Sequence, residues 1–243
     1  MKLYILLFSV MLSLGLYGQQ TNPPNKIEWQ INTTETLADQ GQAQALTWLT
    51  DSLYAVQCET CPWLNYWKAF AAYRLAQYHF SDDKSLAKPH VEKAIAILES
   101  ITVKSSDEHM LLGSLLSLSI NFNPGMAAVL SQKARSHFTT AIELDKKNPR
   151  AYYGLARNDY YRPKQYGGGT LVEENLLKAL GLPFQSSVNH LMPSWGKKES
   201  YILLITHYLD EGRRDDAILF HKRAMKEFPD NKELKNIQSR FQP

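Results

Sequence analysis

The chain of 243 residues carries 27 basic and 24 acidic side chains, and 44% of its residues are hydrophobic. This composition excludes an intrinsically disordered chain, and the nearly balanced charge gives no support for nucleic-acid binding or for attachment to an anionic membrane. The length accommodates one elongated domain or two small ones, each with enough buried surface for a core.

Residues 1–19 have the pattern of a cleaved export signal. Lys2 is followed by an uncharged apolar stretch from Leu3 to Leu16 and then by the small residue Gly18. An apolar stretch of about 14 residues is too short for a transmembrane helix, which needs about 20. We therefore expect an exported protein of the periplasm or cell envelope, with no transmembrane span in the mature chain. Residues 20–33 contain two prolines and are predicted to be an extended lead-in.

Helical periodicity dominates residues 34–243, and signals for β-strands are almost absent. This part of the chain is predicted to be a single helical domain. Its first helix is predicted from Thr34 to Gln57, with Gly41 as a candidate break. Later helix starts are marked by capping residues and N-terminal prolines, namely Pro62, Ser105 with Glu108, Asn148 with Pro149, and Thr170 with Glu173.

Cys58 and Cys61 are the only cysteines, and they are separated by two residues. In an exported protein the pair can form a disulfide, although so small a loop contributes little stability. A redox motif is the alternative, which the absence of alternating strands and helices nearby disfavours. Two cysteines cannot complete a tetrahedral zinc site, and we expect no metal.

Four segments share one spacing. Each begins with a small or branched residue and has a larger residue four positions later. An alanine follows at seven positions from the start, and an apolar residue at eight. They are Ala87–Val91–Ala94–Ile95, Ala134–Phe138–Ala141–Ile142, Val172–Leu176–Ala179–Leu180 and Ala217–His221–Ala224–Met225. Repetition of this kind predicts stacked helix pairs, and such arrays usually serve as binding surfaces.

The last of these units resembles the tetratricopeptide repeat (TPR). Its bulky, small and turn-forming residues fall at the positions that this repeat requires, namely Tyr201, Leu204, Tyr208, Gly212, Ala217, Ala224 and Pro229. The resemblance implies an all-α fold, a TPR-like superhelix of four or five antiparallel helix pairs, which is an α-solenoid. Over Trp63 to Phe228 the chain further resembles a family of exported bacterial TPR proteins that has no assigned activity. The resemblance rests on a Pro-x-x-Tyr-Gly-Gly-Gly loop at 163–169 and on the segment Trp195-Gly196-Lys197.

The same resemblance assigns one helical stripe to the inner face of the array, where TPR proteins contact their partners. The predicted partner-binding residues on this stripe are Arg150, Tyr153, Arg157, Tyr160 and Tyr161. Arginine and tyrosine suit recognition of an extended chain or an acidic group. The alternative is that these aromatic residues pack against neighbouring loops.

A second candidate site precedes the helix predicted from Leu171, in a glycine-rich loop. Its residues are Tyr166, Gly167, Gly168, Gly169 and Thr170. Their backbone N–H groups can hold an anion, although a phosphate-binding P-loop would need Lys-Ser or Lys-Thr after the last glycine. The alternative is a lengthened turn whose glycines accept positive φ and whose threonine caps the helix.

The sequence contains no recognised catalytic motif, so we expect neither an enzyme nor a cofactor. The function predicted is that of a cell-envelope scaffold or adaptor that binds a protein or peptide and does not bind nucleic acid. The alternative is a carrier of a small molecule or solute that works with a transporter. The sequence specifies neither the partner nor the oligomeric state.

Overall fold

The structure, a computed structural model, describes residues 26–241 apart from 39, 43, 59, 62 and 185–190, so the predicted export signal lies outside it. The regular elements of this part of the chain are helical. The α-helices are α1 (Lys26–Ala38), α2 (Gln44–Ala55), α3 (Leu64–Asp82), α4 (Lys84–Glu99), α5 (Ser106–Ser119), α6 (Ala127–Leu144), α7 (Pro149–Tyr161), α8 (Val172–Leu180), α9 (Lys197–Asp210), α10 (Arg214–Glu227) and α11 (Lys232–Ile237). Among the described helices none combines the length and the apolar character needed to cross a bilayer.

Consecutive helices form five hairpins, α1 with α2 through α9 with α10, and α11 packs on the last of them. Each odd-numbered helix also contacts the odd-numbered helix of the next hairpin. The odd helices therefore form one continuous face of the array, and the even helices form the other. This arrangement confirms the predicted superhelix of helix pairs.

The repeated residues of the sequence lie in the seams between helices. Their first three positions are almost fully buried on all four even helices from α4 to α10. The closest approach is at Phe138 of α6, because a Cβ atom added to Gly154 would lie 2.3 Å from the Phe138 ring and one added to Gly113 would lie 2.8 Å from it. Only glycine at both positions allows the ring to sit between α5 and α7.

Two predicted helix starts are confirmed at the level of individual hydrogen bonds. Ser105 and Glu108 form the reciprocal capping box in front of α5. The Asn148 side chain accepts the backbone N–H of Arg150 at 3.0 Å, and Pro149 is the first residue of α7. Local hydrogen bonding is sufficient to place these starts, so they were readable from the sequence.

The N-terminal boundaries differ from the prediction. The lead-in predicted to be extended over 20–33 is helical from Lys26 onward. The helix predicted from Thr34 to Gln57 begins earlier, and it is interrupted at the candidate break Gly41, whose φ is 88°, so that it forms α1 and α2. The polar sequence of α1 hides its helical period. Packing of Ile31 and Ala38 in the common core stabilises this helix, and a sequence pattern alone does not reveal such contacts.

Candidate functional site

The face formed by the odd helices lines an open, concave cavity of about 1820 Å³. Its wall comes from α1, α3, α7, α9, the end of α10 and α11. The residues between α8 and α9 that the structure describes, 181–184 and 191–196, complete it and are called here the α8–α9 connection. The helix pairs thus leave a large concave space, and one segment of the chain itself lies in it.

Trp195 anchors the α8–α9 connection on the inner face of α3 and α7. Its indole stacks on Phe70 with ring centroids 5.0 Å apart, and its Nε1–H donates to the Tyr66 hydroxyl oxygen at 2.8 Å. Tyr153 of α7 meets the same indole edge to face at 6.3 Å. These contacts make Trp195 a fixed part of the cavity wall.

Two further contacts hold the connection against the first helices. Ser194 donates to the Glu28 carboxylate from its backbone N–H at 2.8 Å and from its hydroxyl at 2.9 Å. The Trp67 indole donates to the Leu191 carbonyl at 3.1 Å. Burial raises the pKa of Glu28, and the bonds from Ser194 offset part of that rise. The cavity wall therefore joins α1, α3 and the connection.

A paired charge cluster lies beside this wall. Arg74 of α3 is buried and forms ion pairs with Glu35 of α1 at 2.5 Å and with Glu199 of α9 at 3.5 Å. Burial alone would raise the pKa of Glu199, but Lys198 and Arg74 outweigh it and the pKa is lowered. The Arg74 charge is thus matched by carboxylates of the protein itself.

The structure separates Arg150 from the other predicted partner-binding residues. Arg150 is 4% exposed and binds the Asp107 carboxylate of α5 at 2.8 Å, with a further bond of 3.4 Å to the Phe184 carbonyl. It links α5 to α7 in the interior. Tyr153, Arg157, Tyr160 and Tyr161 do line the cavity, as the stripe predicted, and their contact with a partner stays a prediction.

Arg157 is surrounded by tyrosines. Its Nη1 donates to the Tyr73 hydroxyl at 3.4 Å, and its guanidinium lies 5.5 Å from the centre of the Tyr161 ring. Tyr160, next in the wall, donates to the Asp210 carboxylate, and Tyr161 is 68% exposed. This part of the cavity combines one half-buried cation with phenolic side chains.

Two phenols of this cluster carry no charge that would balance Arg157. Burial raises the pKa of Tyr153 and the pKa of Tyr160, and Asp210 adds to the second rise. Both phenols are therefore neutral at pH 7, and neither neutralises the guanidinium as a phenolate would.

The glycine-rich loop is held by Asp159, a fully buried residue near the end of α7. Its carboxylate accepts the Leu171 backbone N–H at 2.7 Å and pairs with Arg162, whose guanidinium also donates to the Gly167 carbonyl at 3.1 Å. A Cβ atom on Gly168 would lie 1.8 Å from the Arg162 carbonyl oxygen, so the loop is wound tightly on itself. These contacts match the lengthened-turn alternative.

The capping box predicted from Thr170 and Glu173 is wrong. The Thr170 hydroxyl donates to the Gly167 carbonyl, α8 begins at Val172, and Glu173 instead accepts hydrogen bonds from Tyr208 and Arg213. Asp159 supplies the acceptor at this helix start from a distant position in the chain, which a local capping rule does not detect. Contact of Tyr166 through Thr170 with a ligand stays a prediction.

Cys58 and Cys61 are joined as a disulfide, with their Cα atoms 5.5 Å apart. They border a small hollow of about 270 Å³ between the start of α3 and Ile101. Among the described residues no three metal-ligating side chains come together. The disulfide lies away from the large cavity and shares no lining residue with it.

Comparison with known proteins rests on structure alone. No protein-family model matches the sequence, and no curated protein is similar to it. Among solved structures, the fold is similar to TTC0263, a thermophilic TPR protein from Thermus thermophilus, with a TM-score of 0.58 and 17% identity over 88% of this chain and 98% of that chain. It is also similar to the HusA haemophore from Porphyromonas gingivalis, with a TM-score of 0.55 and 20% identity over 80% of this chain and 96% of that chain.

The chain has a TPR fold. The first of these neighbours, together with the stacked hairpins, supports that description, and identities of this size establish the fold alone. A TPR array presents an extended concave surface of the kind used for protein interaction.

Sequence reasoning missed several residues of the cavity in this TPR array. Trp195 carried a signal, since the Trp-Gly-Lys segment lies outside the generic repeat. Glu35 and Arg74 carried none, because they belong to different helices and are brought together only by the packing of α1 against α3.

Proposed function

We propose that the chain is a non-enzymatic scaffold or adaptor that binds a segment of polypeptide in the concave cavity. The cavity volume carries the proposal, because about 1820 Å³ exceeds the roughly 300–1,000 Å³ of small-molecule pockets. Six acidic and six basic residues line it, so its overall charge favours neither sign. A polypeptide with both polar and apolar side chains suits such a lining.

The compartment is part of the same proposal. The basic start and short apolar stretch of residues 1–19 support export, with action in the cell envelope. Fractionation of cells that express the full chain tests this, since a mature protein that retains Met1 in the cytoplasm would contradict export.

The binding proposal is tested with a library of random 12-residue peptides displayed on phage and panned against the folded chain. Peptides that are enriched are then measured by fluorescence polarisation with wild type and two variants. Thr206→Trp places an indole in the cavity from α9, and we expect at least a tenfold loss of affinity. Leu219→Trp, at a position that is 45% exposed on α10 and does not line the cavity, is the matched control. No enrichment, or equal affinity in both variants, would refute the proposal.

The second candidate function is carriage of a flat aromatic molecule. Seven aromatic side chains line the cavity, with Trp195 and Tyr153 packed together at one end. Because a neighbour of similar fold is named a haemophore, haemin is the natural first probe. A saturable change in haemin absorbance that Thr206→Trp abolishes would favour this candidate, and an unchanged spectrum at micromolar protein would remove it.

A further inference from the structure

The strongest unexplained feature of the cavity is the contrast between its two inner arginines. Arg74 has carboxylates from α1 and α9 within ion-pair distance. In the part of the chain that the structure describes, the polar contacts of Arg157 are to tyrosines, and no carboxylate pairs with it. A half-buried guanidinium without an anionic partner is costly, since burial removes water that would otherwise solvate the charge.

Two acidic residues in the vicinity of Arg157 already have other partners. Asp210 of α9 accepts the Tyr160 hydroxyl hydrogen and pairs with Arg240, so that carboxylate is already engaged. The Asp159 carboxylate, two residues away, is bound by Arg162 and Leu171. Asp159 and Asp210 are thus committed elsewhere, while Arg157 faces the open cavity.

We propose that Arg157 binds a carboxylate group of the ligand, beside Tyr153 in the cavity wall. This proposal rests on the polypeptide-binding function and specifies its chemistry, an acidic peptide. The planar guanidinium suits bidentate recognition of a carboxylate, and the neutral phenol of Tyr153 can donate an additional hydrogen bond to it. The carboxylate comes either from an Asp or Glu side chain or from the C-terminus of the peptide.

The subsite itself is tested with succinate as the probe and NMR as the readout. The side-chain Nε–Hε signal of Arg157 is assigned by its disappearance in Arg157→Lys, and that of Arg223 by Arg223→Lys. Arg223 lies exposed on α10 above Phe220, outside the cavity lining, and provides the control. We expect a saturable shift of the Arg157 signal with succinate at constant ionic strength, and none for Arg223. No saturable shift at Arg157 would overturn the proposal.

The peptide chemistry is tested on the peptides enriched in the panning. Each is made in three forms: unchanged, with Asp and Glu replaced by Asn and Gln, and with an amidated C-terminus. We expect wild type to lose at least tenfold in affinity for one neutralised form, which identifies the source of the carboxylate. Arg157→Gln should bind the unchanged and neutralised forms equally, and should bind the neutralised form as wild type does.

The two proposals fail in different ways. If no peptide is enriched while succinate still shifts the Arg157 signal, polypeptide binding is wrong and the anion subsite stands. If peptides bind in the cavity but Arg157→Gln keeps the wild-type preference for the acidic form, the subsite is wrong and the scaffold proposal stands.

Discussion

Trp195 and Tyr66 are 129 residues apart in the sequence, and the Trp195 indole donates to the Tyr66 hydroxyl oxygen at 2.8 Å. The bond joins the α8–α9 connection to α3, across the concave face of the array. A solenoid of this kind is held mainly by contacts between adjacent repeats. This contact instead links the connection after the fourth hairpin to the second hairpin, and it holds Trp195 in the cavity wall.

Replacement of Trp195 tests how strongly it anchors the α8–α9 connection. Trp195→Ala removes the stack on Phe70 and the bond to Tyr66, and we expect a loss of about 3–5 kcal/mol in the free energy of unfolding. Urea unfolding followed by circular dichroism at 222 nm measures it. Trp29→Ala, at a position that is 45% exposed, should change stability by no more than about 0.5 kcal/mol. Equal effects of the two variants would contradict the anchoring role.

The tight packing around Phe138 predicts that a single methyl group added at Gly154 destabilises the protein. Gly154→Ala would place its Cβ atom 2.3 Å from the Phe138 ring, and overpacking of this kind costs about 1–3 kcal/mol. Gly125→Ala meets no atom within 4 Å and serves as the control in thermal unfolding. Phe138→Leu in the Gly154→Ala background should recover part of the loss. A Gly154→Ala protein as stable as wild type would show that the helices separate easily here.

Asp159 is predicted to hold the glycine-rich loop and the start of α8. Asp159→Ala leaves the Leu171 N–H without its acceptor and the Arg162 guanidinium without its carboxylate partner, and we expect a loss of about 2–3 kcal/mol. Hydrogen exchange should rise at the start of α8. Asp51→Ala, an exposed position within α2, is the control. Unchanged protection of α8 would refute the role of Asp159.

Stability is predicted to fall in mild acid because of a histidine pair. The Nδ1 atoms of His109 on α5 and His137 on α6 lie 2.9 Å apart. Burial lowers the pKa of both rings, and Lys104 adds to the effect at each, so the folded protein binds fewer protons than the unfolded chain below about pH 6.5. The contribution of the neutral histidine pair to stability is present above about pH 6.5, and it is lost as the pH falls toward the lowered pKa values of the two rings.

The check is the pH dependence of unfolding between pH 7.5 and 5 for wild type and His137→Gln. The variant should show a shallower decline. Glu28 contributes with the opposite sign, since its raised pKa makes the folded state bind a proton more readily, but its contribution is common to both proteins and cancels in the difference. Parallel curves for the two proteins would contradict the prediction.

The disulfide is predicted to contribute little. It closes a loop across a sequence separation of 3, for which loop entropy gives at most about 2 kcal/mol. Reduction with a phosphine should leave peptide capture unchanged, because the pair lies outside the large cavity. A large loss of capture on reduction would instead connect Cys58 and Cys61 to function.

Most of the fold was predictable because its determinants are local. Ser105 with Glu108 and Asn148 with Pro149 start helices through hydrogen bonds within one turn. Alanine at the repeated positions indicates that neighbouring helices approach each other closely. The α1 helix was missed since its packing onto the core, and not its own periodicity, stabilises it.

The candidate site was predictable only in part. The spacing of Tyr153, Arg157, Tyr160 and Tyr161 predicted that they share one face of α7, since residues three and four apart lie together on a helix. All four line the cavity. The spacing could not show that Arg150, on the same helix, turns toward Asp107 of another hairpin. The partner of a long charged side chain depends on which helices meet.

The sequence by itself determined the class of the protein, a stack of helix pairs with small residues in the seams, because the helical period and the caps act within a few residues. Only the tertiary structure decided that the α8–α9 connection lies in the concave face through Trp195, and that Arg74 is paired with carboxylates while Arg157 is not. Those pairings join residues far apart in the chain, and the curvature of the whole array sets their distances.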